Sequence, residues 1–316
     1  MHYAHCDAND GCRLAFQTSL PIEAGGDGGG ASSATRCVLL MHGFSGSSDY
    51  FRRNSDALAA AGLWVVAPDM RGHGRSGRTR GGYHVARLAA DLRDLVARLR
   101  RAAPDAAIVP VGCSIGAAVL WTYVELFGCA DFAGLAFVDQ APLQDRSAFD
   151  GWDETRAHAG CYDERTLLAA QRSWMGDPAA AHVDLVDGCL GYRARPDAAA
   201  ADGDVPDDDT RRADEAFFTG ISALCDPAWL ARLLADHTRY DHREAIEAIT
   251  VPTLVMAGRR SGCFSLDGML ETVRRVEMAR PGLARASVFE SGHWLFYEQP
   301  ERFNAEIAEF VGQCTK

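Results

Sequence analysis

The pentapeptide Gly112-Cys113-Ser114-Ile115-Gly116 decides how this chain folds. An apolar run of strand length, residues 107–112, leads into it, and residues 115–127 continue with helical periodicity. Small residues on both sides of a serine at a strand-to-helix junction permit a turn sharp enough to expose the hydroxyl at its tip. Taken alone, the same five residues also fit a tight turn whose serine caps a helix. The flanking strand and helix favour the exposed hydroxyl and make Ser114 a candidate nucleophile.

Outward from this junction, short runs of Val, Leu and Ala bounded by Gly, Pro or Asp alternate with longer segments of helical period. That alternation predicts an α/β fold, a mostly parallel sheet with helices on both faces. Residues 1–8 and 12–18 predict an opening hairpin, and the glycine-rich stretch 25–30 an exposed loop. Strands are predicted at 37–41, 63–68, 107–112, 135–138, 253–257 and 286–289, and helices at 49–61, 86–101, 115–127 and 301–311. Residues 141–250 hold amphipathic helical pieces and few strand-like runs, so they read as a helical cap inserted into a core of 1–140 and 251–316. Within the cap, 195–209 is Ala, Asp, Gly and Pro with almost no large apolar side chain, a composition that predicts mobility.

The 316 residues are 47% hydrophobic and 24% charged, a globular balance. A net charge of -11 without a basic stripe argues against a nucleic-acid partner, which would need clustered Lys and Arg to replace phosphate counterions. No apolar run approaches a bilayer span of roughly 20 residues, and the start lacks a basic stretch followed by an apolar one; the expectation is a cytoplasmic protein. Ten cysteines without a C-x-x-C pair read as buried reduced thiols rather than a zinc or disulfide framework.

With these pieces in place the chain resembles an α/β-hydrolase of the esterase and lipase type, over nearly everything outside the cap. His42-Gly43-Phe44 follows the first central strand, as the family's oxyanion loop does. The resemblance implies that the backbone N–H groups of Phe44 and Ile115 stabilise a tetrahedral oxyanion. Asp69-Met70-Arg71-Gly72-His73-Gly74-Arg75-Ser76 is similar to a structural turn of the family, which makes His73 a brace and not the base. Ser291-Gly292-His293-Trp294, with Tyr297 to Phe303 after it, is similar to the histidine loop and final helix, so His293 is the candidate general base. A serine hydroxyl is a weak nucleophile at neutral pH, and an imidazole within reach can take its proton and later return it. His158, His182, His237 and His242 lack such a placement.

The sequence departs from the family at the third catalytic position. The expected aspartate turn reads Gly258-Arg259-Arg260-Ser261, without a carboxylate. Asp139, at the end of the strand after the nucleophile helix, offers a substitute, as in some hydrolases of this fold. Asp267 competes with it, although Ser265-Leu266-Asp267 looks like a capped helix start. A dyad without an acid and a carboxylate from the cap stay open. Cys113 is assigned to packing. Among Trp121, Trp152, Trp174, Trp229, Trp294, Phe44 and Phe264, only Phe44 and Trp294 are placed against substrate; aromatic residues otherwise favour core. The expected activity is hydrolysis of a small or medium hydrophobic ester, thioester or lactone through an acyl-enzyme, with no cofactor and no metal. Acyl transfer to another acceptor, carbon–carbon cleavage and peracid formation use the same groups, and a ligand-binding protein of this fold is the rival from a different class.

Overall fold

A computed structural model describes residues 1–22, 30–145 and 161–315. Residues 25–29 of the glycine-rich stretch, Trp152 and His158 lie outside them. The strands are β1 (His2–Asp7), β2 (Arg13–Thr18), β3 (Arg36–Met41), β4 (Trp64–Pro68), β5 (Ala107–Cys113), β6 (Leu135–Val138), β7 (Thr253–Gly258) and β8 (Ala284–Phe289). They form one eight-stranded sheet in the order β1-β2-β4-β3-β5-β6-β7-β8. β1 and β2 pair as the antiparallel hairpin, β2 joins β4 antiparallel, and every later pairing is parallel.

Two layers of apolar side chains follow from the period-2 alternation of the buried central strands. Cys37, Leu39 and Met41 of β3 enter one core, and Val38 and Leu40 enter the other. Helices α2 (Val85–Ala102) and α3 (Ile115–Phe127) cover the first face through Leu88, Leu92, Leu95, Leu99 and Leu120. Helices α1 (Ser55–Ala60) and α13 (Pro300–Cys314) cover the second through Leu58, Phe303, Ile307 and Phe310.

The helix predicted at 49–61 is broken in two, a 3-10 turn at Ser48–Phe51 and then α1. Long-range bonds anchor the two pieces. The N–H of Ser48 donates to Asp69 Oδ1 at 2.7 Å, and the Asn54 amide donates to Phe296 O at 2.9 Å.

Between β6 and β7, the described residues form α4 (Glu164–Gly176), α5 (Pro178–Cys189), α6 (Gly191–Ala194), α7 (Pro196–Asp202), α8 (Asp208–Ser222), α9 (Pro227–Arg239) and α10 (Arg243–Glu247). Composition alone reads 195–209 as mobile, yet α7 and the first residues of α8 lie within it, joined through Gly203 in the left-handed conformation. Alanine is the best helix former, which favours α7, and one buried cation fixes its end. The Arg260 guanidinium pairs with Asp202 at 3.2 Å and Asp204 at 2.6 Å. After β7 come α11 (Leu266–Ala279) and, beyond β8, α12 (Leu295–Glu298). No helix among the described residues is long and apolar enough to cross a membrane.

Candidate active site

The junction that opened the sequence reading is a strained turn. Ser114 sits at φ 53°, ψ -123°, between the end of β5 and the start of α3. For a residue with a side chain such a backbone costs roughly 1–3 kcal/mol and persists only where its surroundings enforce it. The flanking glycines are part of that enforcement: a Cβ on Gly116 would lie 2.7 Å from Met41 O, and one on Gly112 2.6 Å from Ala117 N. Ile115 opens α3, so its N–H has no carbonyl one turn earlier to bond.

Gly43 packs against the serine, where an added Cβ would stand 3.4 Å from that of Ser114. This brings the His42-Gly43-Phe44 loop alongside Ser114. His42 braces the loop: its Nε2 accepts the N–H of Met70 at 3.0 Å, and Nδ1 donates to Gly43 O at 2.8 Å. Burial lowers its pKa to about 4, so the ring is neutral and this pattern of donor and acceptor is its stable one. His73 is also buried, with its Nδ1 on Arg71 O at 2.9 Å, and burial together with His42 lowers its pKa to about 3. Asp69 bonds Ser48 N–H and Arg75 N–H, while Arg71 pairs with Asp91. The turn around His73 is thus a scaffold for the loop.

His293 meets Asp139. The ring Nδ1 lies 2.6 Å from Asp139 Oδ1, both groups being buried, and Asp139 itself holds a left-handed φ of 49° at the end of β6. The carboxylate is satisfied further by the Gly258 N–H on Oδ2 and by the Ser261 hydroxyl on Oδ1, each at 2.8 Å. Ser261 stands in the turn that lacks the expected acid, so that turn holds the Asp139 carboxylate instead. Asp267 is exposed in the first turn of α11, behind the capping Ser265.

Three elements fix the histidine loop. The His293 N–H donates to Cys189 O at 2.8 Å, tying the loop to the end of α5. Glu298 of α12 accepts Gly191 N–H at 3.1 Å and Gly292 N–H at 2.9 Å. Burial pushes the Glu298 pKa up to about 7 against these donors. Gly191 and Gly292 touch backbone to backbone, and a Cβ on Gly292 would overlap Gly191 N and Cys189 O.

A cavity of about 70 Å³ contains Ser114 and His293 and is walled by Phe44, Leu185, Leu234, Phe264 and Trp294. It adjoins a larger space of about 370 Å³ bordered by Trp174, Ala181 and Asp184 from α4 and α5, and the two share Phe44, Tyr162 and Cys263. Trp294 is stacked on Phe218 at 3.7 Å between ring centres, and Phe44 meets Trp174 edge-on. Trp174, His237 and Cys263, like Leu185, Leu234 and Phe264, line this space although sequence reasoning placed none of them against substrate. His237 contacts Gln144, and burial lowers its pKa to about 3. His182 packs against Trp174, His242 and Phe137 against Trp121, and Trp229 against His73. Cys113 is buried in the second core.

Cys263 alters the electrostatics of the imidazole. Its bond to Cys189, 3.7 Å between sulfurs, and its contact with His293 draw its pKa down to about 5 against burial. Burial disfavours a charged His293, but Cys263 and Asp139 outweigh it and raise the ring to about 10. All ten cysteines are free.

The family profile described as "alpha/beta hydrolase fold" matches residues 36–300. The chain belongs to this family. Among curated α/β-hydrolase relatives, epoxide hydrolase A of Mycobacterium tuberculosis is 27% identical over 87% of this chain and 89% of its own length. Two solved α/β-hydrolases share the fold. A bromoperoxidase from Bacillus anthracis superposes with a TM-score of 0.78 at 19% identity, over 98% of this chain and 100% of that one. An esterase from Exiguobacterium antarcticum gives 0.77 at 18%, over 98% and 99%.

Proposed function

We propose that the protein is a serine hydrolase that cleaves small or medium hydrophobic esters, thioesters or lactones by two-step acyl transfer. The observation that carries this reading is the 2.6 Å pairing of His293 with Asp139, made on the same cavity that holds Ser114 on its strained turn. Ser114 attacks the carbonyl while His293 takes its proton through Nε2, since Nδ1 is held by Asp139. The N–H groups of Phe44 and Ile115 receive the oxyanion, and Asp139 keeps the ring oriented and balances the imidazolium. His293 then protonates the leaving group, and the same base activates water to release the acid. Phe44, Leu234, Phe264 and Trp294 favour an apolar acyl group.

Epoxide opening fits this nucleophile poorly. Attack by a serine oxygen on an epoxide would leave an ether, which water cannot release by acyl chemistry, whereas an acyl-serine ester is cleaved by the same base and oxyanion site. Perhydrolysis is the second reading, supported by the likeness to a bromoperoxidase: hydrogen peroxide in place of water would release a peracid and regenerate the serine.

The test is labelling by a fluorophosphonate followed by intact mass, alongside turnover of short p-nitrophenyl esters, for wild type, Ser114→Ala and His293→Ala. Labelling and turnover that depend on both residues are expected. Because the raised pKa of His293 keeps the ring protonated at neutrality, turnover should climb as pH rises toward 10. A folded wild type that neither labels nor turns over would overturn the reading in favour of a ligand-binding protein.

A further inference from the structure

The acyl-transfer reading does not use Cys189 or Cys263, yet their sulfurs face the one imidazole it depends on. Cys189 ends α5, Cys263 lies in the loop between β7 and α11, and His293 follows β8. One ligand atom from each of the three lies within 4.8 Å of the other two. The sulfur–sulfur distance is 3.7 Å. Two thiolates bound at about 2.3 Å to a tetrahedral zinc stand about 3.8 Å apart, so the pair already has the spacing of one edge of such a site. The same separation is far longer than a disulfide bond of about 2.05 Å.

The third ligand is prepared in the way metal-binding histidines are. His293 Nδ1 is engaged by the Asp139 carboxylate, leaving Nε2 as the coordinating nitrogen. A carboxylate on the far nitrogen fixes the tautomer and strengthens the donor. Both cysteines and His293 line the cavity that contains Ser114, which gives a cation access and leaves the fourth position for water or a small anion.

We propose that Cys189, Cys263 and His293 form a binding site for zinc or another thiophilic divalent cation, and that filling it shuts off acyl transfer by occupying the nitrogen Ser114 needs. Coordination displaces the thiol proton of Cys189 and the Nε2 proton of the His293 imidazolium, both of which pass to solvent, and nothing is oxidised. The inhibitory half of this proposal rests on the acyl-transfer reading; the metal site does not.

The full chain, kept reduced, is titrated with zinc against a chromophoric chelator, and separately with cobalt while the near-ultraviolet spectrum is followed. One metal per chain is expected, with a thiolate-to-cobalt band. Cys189→Ser and Cys263→Ser should each weaken binding at least tenfold and reduce that band, whereas Cys6→Ser, on the remote hairpin, should change neither. Asp139→Asn, which keeps all three ligands, should weaken binding by roughly 10–100-fold and covers the case in which a cysteine variant fails to fold. Ser114→Ala should bind zinc as wild type does, so the site is read without any turnover.

Zinc below one per chain, a cobalt complex without thiolate absorption, or unchanged affinity in folded cysteine variants would overturn the site. Stoichiometric zinc that leaves ester turnover unaffected would overturn the inhibition. Inhibition that a chelator reverses would support it. A chain that binds zinc as expected but never turns over an ester would fail the acyl-transfer reading alone.

Discussion

At the scale of single residues, the turn Gly258-Arg259-Arg260-Ser261 holds a carboxylate that it does not itself supply. The carboxylate sits one strand away on Asp139, and Ser261 turns its hydroxyl to hold it at 2.8 Å. Asp139→Asn should therefore lower kcat by about 10⁴-fold, the scale of the same change in a serine protease, because the amide can present the wrong hydrogen-bond partner to the ring. Asp267→Asn should leave kcat within a few-fold, and steady-state kinetics on both variants would reverse the assignment if the losses were exchanged. Ser114, His293 and Asp139 were legible as candidates because each follows a strand end with small or apolar neighbours. Cys263 was not: a lone cysteine carries no spacing signal, and its place beside the imidazole depends on the loop after β7 meeting the loop after β8.

The elements were legible where burial imposes a period. Strands β3 to β7 and helix α3 emerge within a residue or two of their predicted bounds, since their apolar runs have one stable use between two cores. The helix predicted at 49–61 is divided in two, and the residues that anchor its pieces, Asp69 and Phe296, are remote in sequence. Glu298 is a similar case. It joins α12 to two loops by accepting the Gly191 and Gly292 N–H groups, a role with no local signature. Glu298→Ala leaves two inward-facing donors without it and should cost about 1–3 kcal/mol of stability, seen as a lower thermal midpoint. It should also reduce kcat for ester turnover, since the histidine loop loses its support; an unaltered midpoint and kcat would count against the role assigned to Glu298.

Across the whole molecule, the insertion between β6 and β7 is held from below by the core. Arg260 reaches from the β7 turn to Asp202 and Asp204 and bonds Glu290 O, so a stretch whose composition predicts mobility acquires a fixed attachment. Arg260→Ala should expose residues 195–209 to limited proteolysis under conditions in which wild type resists, with the cleavage positions read by mass. Equal resistance would mean that the alanine-rich helix stands without its cation.

The backbone contact of Gly191 with Gly292 sets a direction for traffic. Two main chains touch there and Cys189 O receives the His293 N–H, which joins the end of α5 to the histidine loop. The larger chamber is bordered elsewhere, by Trp174 of α4 and Asp184 of α5, and on the proposed acyl-transfer reading reactant would pass there while the histidine loop keeps its place.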